Sequence, residues 1–317
     1  YTTKGTPTTM KTAFLFSGQG SQYSGMGADF AEKYSSSAKI FECGSDILGY
    51  DVKKLMLEGT AEELAQTCVS QPAIFTMSLL ALNAAKENGI GFDAVAGHSL
   101  GEYAAMVASE MLTMEQGFTA IKYRAAAMDK AAKANPGGMA AVIGAGTELI
   151  EKICADITAE GGYVTPVNYN SLQQTVIAGT TESLELATAR LKENGIRKVV
   201  KLAVSAAFHS KLMNGAAEEF KAAVADMKFA APKVDFYANV YGAKLTDFSD
   251  MPSYLSTHIC SPVRFVSELQ AMQADGIEKY LELGPGKVLT GLVKKTLDGV
   301  IAANIENNET MDAALAL

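Results

Sequence analysis

The sequence predicts an α/β fold, a parallel sheet with a small βαββαβ domain inserted. Three observations carry this. Short apolar runs alternate with loops and helical patterns, the rhythm of a parallel α/β sheet. A G-x-S-x-G pentapeptide, Gly97-His98-Ser99-Leu100-Gly101, stands where a strand gives way to a helix. Pro136-Gly137-Gly138 then breaks the rhythm, and a strand–helix–strand–strand–helix–strand pattern follows.

Each element has a local reason. Ala13-Phe14-Leu15-Phe16 is a short apolar run closed by a glycine-rich turn, so it reads as a buried strand. Helical patterns follow through about Asn88. Residues 94–97 read as a second strand, and 101–108 as a helix rich in small residues. Thr113 is an N-cap for a long helix to about Asn135. In the insert, residues 139–143, 165–169, 175–178 and 198–204 read as strands. Residues 148–159 and 182–194 read as helices. That order is the ferredoxin-like unit, placed at residues 134–200. The α/β pattern resumes in residues 201–317, with strands at 234–240 and 279–283 and a helix from about Val288. Residues 10–133 and 201–317 thus form the larger domain. Residues 1–9, Thr-rich and without pattern, read as a disordered lead or a cloning remnant.

Composition narrows the function. The 35 acidic and 27 basic side chains give a formal net charge of −8, which argues against a nucleic-acid coat. The four cysteines are widely spaced and form neither a disulfide framework nor a metal-ligand pattern, so reduced thiols in a cytoplasmic protein are expected. No apolar run approaches the roughly 18–20 residues a membrane span needs, so no membrane partner is expected. The chain has three histidines, His98, His209 and His258, so any imidazole chemistry must use one of them.

In the strand–turn–helix context Ser99 reads as a nucleophile on a tight turn, with the Leu100 amide at a helix N-terminus where an oxyanion would be stabilised. The plainer alternative is an ordinary serine in a glycine-rich turn. A serine nucleophile needs a base. His98 is adjacent and should point away from Ser99. His209 follows a strand end, where catalytic groups gather, and leads on that ground over a surface or capping role. His258 lies in a helix-like segment before Ser261-Pro262.

Four separated segments carry a family likeness: Phe16-Ser17-Gly18-Gln19-Gly20-Ser21-Gln22, Gly97-His98-Ser99-Leu100-Gly101-Glu102, Ala207-Phe208-His209-Ser210 and Glu282-Leu283-Gly284-Pro285-Gly286. In this order the chain resembles malonyl-CoA:acyl-carrier-protein transacylases, which load malonyl groups for fatty acid or polyketide synthesis. The resemblance implies an α/β-hydrolase-like core with a ferredoxin-like insert. It assigns Ser99 as nucleophile and His209 as base. Gln19 would lie under the active site, with the amides of Gln19 and Leu100 as oxyanion hole. Arg124 would grip the malonyl carboxylate, a role that suits a planar guanidinium fork; read without the family, Arg124 is a solvated helix charge. The main-chain carbonyl of His258, at a position where the family usually carries Gln, would orient His209. Phe208 matches the malonyl-selective form of its motif, its ring leaving no room for a branch at C2. Asn170-Ser171-Leu172 departs from the family's Asn-Ser-Pro.

The implied partners are malonyl-CoA and holo-acyl carrier protein, acting on a monomer with no metal or other cofactor. Acyl carrier proteins are acidic, so basic side chains between Lys192 and Lys211 and between Lys287 and Lys295 are docking candidates. Two rivals share features with this reading. A serine esterase shares G-x-S-x-G but gives Gln19 and Arg124 no role. A non-catalytic docking module would dispense with Ser99 or His209, and both are present.

Overall fold

The computed structural model describes residues 9–317. The expected lead at residues 1–9 falls, but for its last residue, outside the described residues. The strands are β1 Thr12–Phe16, β2 Ala94–Gly97, β3 Gly138–Ile143, β4 Val164–Ser171, β5 Gln174–Gly179, β6 Lys198–Lys201, β7 Asp235–Ala238, β8 Ala243–Lys244, β9 Lys279–Leu283 and β10 Ile301–Ile305. They form two sheets. The larger has the order β10-β9-β1-β2-β7-β8, and the smaller β4-β5-β3-β6. The fold is therefore mixed α/β, with a largely parallel sheet beside a separate antiparallel one.

The parallel sheet explains why its strands read as unbroken apolar runs. β1 is central, between β2 and β9, and parallel to both. Its residues alternate between two cores: Phe14 and Phe16 pack into one, Ala13 and Leu15 into the other. Both faces of the sheet are covered by helices, so no position along β1 needs a polar side chain. In the antiparallel sheet Ala140, Val142 and Ile177 face a helix-covered core, while Met139, Ala141 and Val176 face the main body. A short parallel bridge fastens the two units, with Tyr169 N–H donating to Val263 O and Val263 N–H to Val167 O, each at 2.8 Å. That bridge sets the small sheet over the carboxyl end of β2, where Ser99 lies.

Four sequence expectations change. The strand expected over 198–204 ends at Lys201, and Leu202 to Val204 turn along a cleft. The strand expected over 234–240 ends at Ala238, after which the chain doubles back into antiparallel β8. Edge strand β10 was unforeseen. The helix Thr67–Glu87 is, against expectation, long and apolar enough to cross a membrane by length and composition, and 83% of its apolar stretch is buried inside the fold.

Candidate active site

The pentapeptide turn is dictated by its glycines. A Cβ at Gly97 would lie 2.0 Å from the Gly101 carbonyl carbon, and one at Gly101 would lie 2.2 Å from Phe16 O. Backbone meets backbone at both, so neither position tolerates a side chain. The chain between them turns through Ser99 with φ 54°, and His209 has φ 59°. Left-handed backbone costs a non-glycine residue on the order of 1–3 kcal/mol, and is retained where the surroundings over-determine it. Here the surroundings are hydrogen bonds. Ser99 N–H donates to Asn239 Oδ1 at 2.8 Å, and the Asn239 amide nitrogen donates to Gly97 O at 2.7 Å and Glu268 Oε2 at 2.9 Å.

Ser99 and His209 meet. Ser99 Oγ lies 2.7 Å from His209 Nε2. On the far side of the ring, Nδ1 lies 2.9 Å from His258 O and 3.0 Å from Ser261 O. Both are carbonyl oxygens and can only accept, so Nδ1 carries the proton. Nε2 of the neutral ring is then the free acceptor for the serine hydroxyl. The backbone of His258 thus stands where a triad would place a carboxylate. The His258 ring is engaged as well, fully buried with its Nε2 2.9 Å from Asn239 Oδ1.

Arg124 is not a solvated helix charge. It is fully buried, on the helix Met114–Ala134. Its Nη2 donates to Ser99 Oγ at 3.2 Å, and its Nη1 to Gln71 Oε1 at 2.7 Å. Both acceptors are neutral. Among the described residues no carboxylate comes within ion-pair distance of it. Nearby Glu102 does not neutralise it, because burial pushes that carboxyl up to about 8 and keeps it mostly protonated at pH 7. A signal for burial was present in the sequence. Ile121 and Met128 stand three before and four after Arg124, on one apolar helix stripe.

Above Ser99 opens a cleft of about 460 Å³ between the two sheets. Ser99, His209, Phe208 and Gln19 line it with Met139, Ala141 and Val176 from the small sheet. Phe208 is almost wholly buried, with its ring on the cleft wall. Gln19 is half-buried, its side chain 3.5 Å from Thr67 Oγ1. Leu100 N–H and Gln19 N–H have no protein acceptor among the described residues. His98 turns from Ser99 toward the small sheet, its Nε2 2.7 Å from Asn170 Oδ1. The fourth motif supports the first: Glu282 accepts from Leu289 N–H, Thr290 N–H and the Ser17 hydroxyl. Sequence reasoning passed over Gln71, Asn239 and Glu268, whose partners are all remote in sequence.

The chain matches the acyl transferase domain family over residues 13–313. It belongs to that family. It is therefore an acyltransferase, and its relatives narrow the kind. Over 305 residues it is 38% identical to the malonyl CoA-acyl carrier protein transacylase of Bacillus subtilis (strain 168), covering 96% of each chain. The Escherichia coli (strain K12) protein of that name is also 38% identical, over 96% of this chain and 99% of its own. Among solved structures, that of MCAT from Streptococcus pneumoniae matches with a TM-score of 0.92 at 38% identity, covering 96% and 99% of the two chains. A malonyl-transacylase solved with its type II polyketide acyl-carrier protein matches with a TM-score of 0.92 at 34% identity, again over 96% and 99%.

The electrostatics of the site lead to a pH prediction. Burial, and then the Arg124 charge, push the His209 imidazole down to about 3. With His209 as the base, which works unprotonated, the lowered pKa would extend activity to lower pH. kcat/KM for acyl transfer should then stay level from about pH 8 down to about pH 5, with no inflection at the ordinary histidine value near 6.5. A fall centred between pH 6 and 7 in stopped-flow acylation would show that the imidazole titrates as if in water.

Proposed function

We propose that this acyltransferase moves the malonyl group of malonyl-CoA to the phosphopantetheine thiol of holo-acyl carrier protein, in two half-reactions through a malonyl-Ser99 ester. The observation that carries the reading is the uncompensated guanidinium of Arg124, buried 3.2 Å from Ser99 Oγ. A buried cation held only by neutral acceptors is costly unless an anion joins it. Malonyl supplies that anion at its far end. An ester hydrolase acting on neutral substrates would leave Arg124 without a role.

In the first half-reaction, Ser99 Oγ bonds to the thioester carbonyl carbon while its proton passes to His209 Nε2. The tetrahedral oxyanion is met by the amides of Gln19 and Leu100. The carbon–sulfur bond breaks, and His209 returns the proton to the CoA thiolate. In the second, the carrier thiol loses its proton to His209 and attacks the ester. The carbon–oxygen bond breaks, and the proton goes back to Ser99. No step calls for a metal or a redox cofactor. Arg124, by fixing the carboxylate, orients the acyl carbonyl toward the incoming thiol. Phe208 on the cleft wall disfavours a branched acyl group, a discrimination of ~1–3 kcal/mol per methyl.

On the same reading, residues 10–133 and 201–317 are an α/β-hydrolase-like domain and residues 134–200 a ferredoxin-like insert. The β4-β5-β3-β6 order and antiparallel pairing support the latter. The enzyme works as a cytoplasmic monomer, away from membranes and nucleic acid.

Intact mass after mixing with malonyl-CoA tests the ester, and Arg124→Ala tests the substrate. Acetyl-CoA lacks the carboxylate, so the ratio of malonyl to acetyl acylation isolates the contribution of Arg124. A charge-assisted pair contributes about 1.5–3 kcal/mol, so the ratio should fall roughly ten- to a hundred-fold. An unchanged ratio would leave malonyl without a recognised carboxylate, and the proposal would fail.

A further inference from the structure

We propose that Gln71 is a specificity-determining positioning residue: its uncharged amide oxygen holds the Arg124 fork in place without cancelling the charge that selects a carboxylated acyl group. The inference rests on the reading of Arg124 above and goes beyond it to the residue that keeps that charge available.

Gln71 is fully buried on the helix Thr67–Glu87, 53 residues from its partner. Its Oε1 accepts from Arg124 Nη1 at 2.7 Å, and its Nε2 lies 3.4 Å from Met128 Sδ. The two ends of the amide are therefore told apart. The oxygen meets a strong cationic donor, and the nitrogen meets a thioether, which accepts weakly and donates nothing. A flipped amide would set N–H against N–H.

Arg124 depends on this contact. Its other protein acceptor among the described residues is the hydroxyl of Ser99, which leaves for the acyl carbon during the reaction. Gln71 Oε1 is thus the acceptor that stays with the fork throughout. Glutamate would fill the same space and accept the same bond more strongly. It would also bring a permanent anion to 2.7 Å from the guanidinium. Arg124 would ionise it, and the substrate carboxylate would then enter beside a like charge. Glutamine holds the fork at full charge.

The test is Gln71→Glu, with acylation of Ser99 measured from malonyl-CoA and from acetyl-CoA. The malonyl-to-acetyl ratio should fall at least about ten-fold, through a raised KM for malonyl-CoA rather than a lowered acetyl kcat. A residue of merely structural importance would lower both acylations together. A ratio within about two-fold of the wild-type value would overturn the proposal. Should the glutamate variant fail to fold, Gln71→Met carries the test. It keeps the volume and removes the acceptor, so malonyl acylation should suffer more than acetyl; equal losses would overturn the proposal. The Arg124→Ala ratio separates the two claims. If it falls and the Gln71 variants do not follow, Gln71 has no part in specificity. If the Arg124→Ala ratio is itself unchanged, the underlying substrate reading is at fault.

Discussion

Ser99→Ala is expected to fold normally and to take up no malonyl mass at all. The loss should be total on the proposed reading, in which Ser99 Oγ carries the acyl group. The other side chains around Oγ are an imidazole and a guanidinium. His209 is turned toward carbonyl oxygens at Nδ1, and Arg124 is held by Gln71. The fold should survive because the substitution spares what holds the turn. Ser99 N–H donates to Asn239 through the backbone, and the glycines at 97 and 101 are untouched. Alanine at φ 54° meets the same left-handed strain as serine, because that strain comes from the Cβ both carry. Intact mass spectrometry after incubation with malonyl-CoA reads the adduct, and thermal melting reads the fold. A malonyl adduct on the alanine variant would place the nucleophile elsewhere.

How much of this is legible in the sequence depends on range. Signals made within a few residues point to the right structure. The turn Gly97 to Gly101 is such a case, and so is the helix at Met114, whose start is fixed by reciprocal bonds between Thr113 and Gln116. The parallel strands announce themselves because burial on both faces leaves an uninterrupted apolar run. Boundaries set by distant partners are missed. Val234 to Val240 is largely apolar, yet the strand stops at Ala238 because the Asn239 N–H turns to the Glu102 carboxyl group, 137 residues away in the chain. β10 escapes notice because Ile301-Ala302-Ala303-Asn304-Ile305 lies at the sheet edge, half-buried, with the weak strand formers Ala302, Ala303 and Asn304 between its two isoleucines.

The site divides in the same way. Ser99 stands in a local motif, whereas the strand expected just before His209 ends at Lys201, so the strand-end argument for that histidine rests on a boundary the structure moves. Arg124 needs either the family resemblance or attention to the apolar stripe it interrupts. Gln71 and Asn239 have no local signature. A glutamine early in an apolar helix and an asparagine after a strand acquire meaning only from what they touch, and those contacts span 53 and 140 residues.

His209→Ala is expected to lower acylation by about 10²–10⁴-fold, the usual contribution of a positioned general base. The informative comparison is with His258, because the two histidines are linked but serve differently. His209 contributes its ring, with Nε2 2.7 Å from Ser99 Oγ. His258 contributes its carbonyl to that ring, and a carbonyl survives any side-chain substitution. On sequence grounds alone His258→Ala should therefore be mild. The structure changes that expectation, since the His258 ring is fully buried and its Nε2 lies 2.9 Å from Asn239 Oδ1, the same oxygen that accepts from Ser99 N–H. Alanine would leave a cavity beside His209 and cost about 3–5 kcal/mol of stability, as for other large buried rings. His258→Gln avoids this. A glutamine amide can reach Asn239 as a donor, has similar length, and keeps the carbonyl. Its acylation rate should remain within about ten-fold of wild type, while His209→Ala loses at least about a hundred-fold. Burial and then the Arg124 charge hold the His258 imidazole well below its ordinary pKa, so it is neutral at working pH. Replacing it with a neutral amide therefore changes no charge in the site. Equal and severe losses in His209→Ala and His258→Gln, with both variants folded by thermal melting, would mean that the His258 imidazole takes part in proton transfer itself.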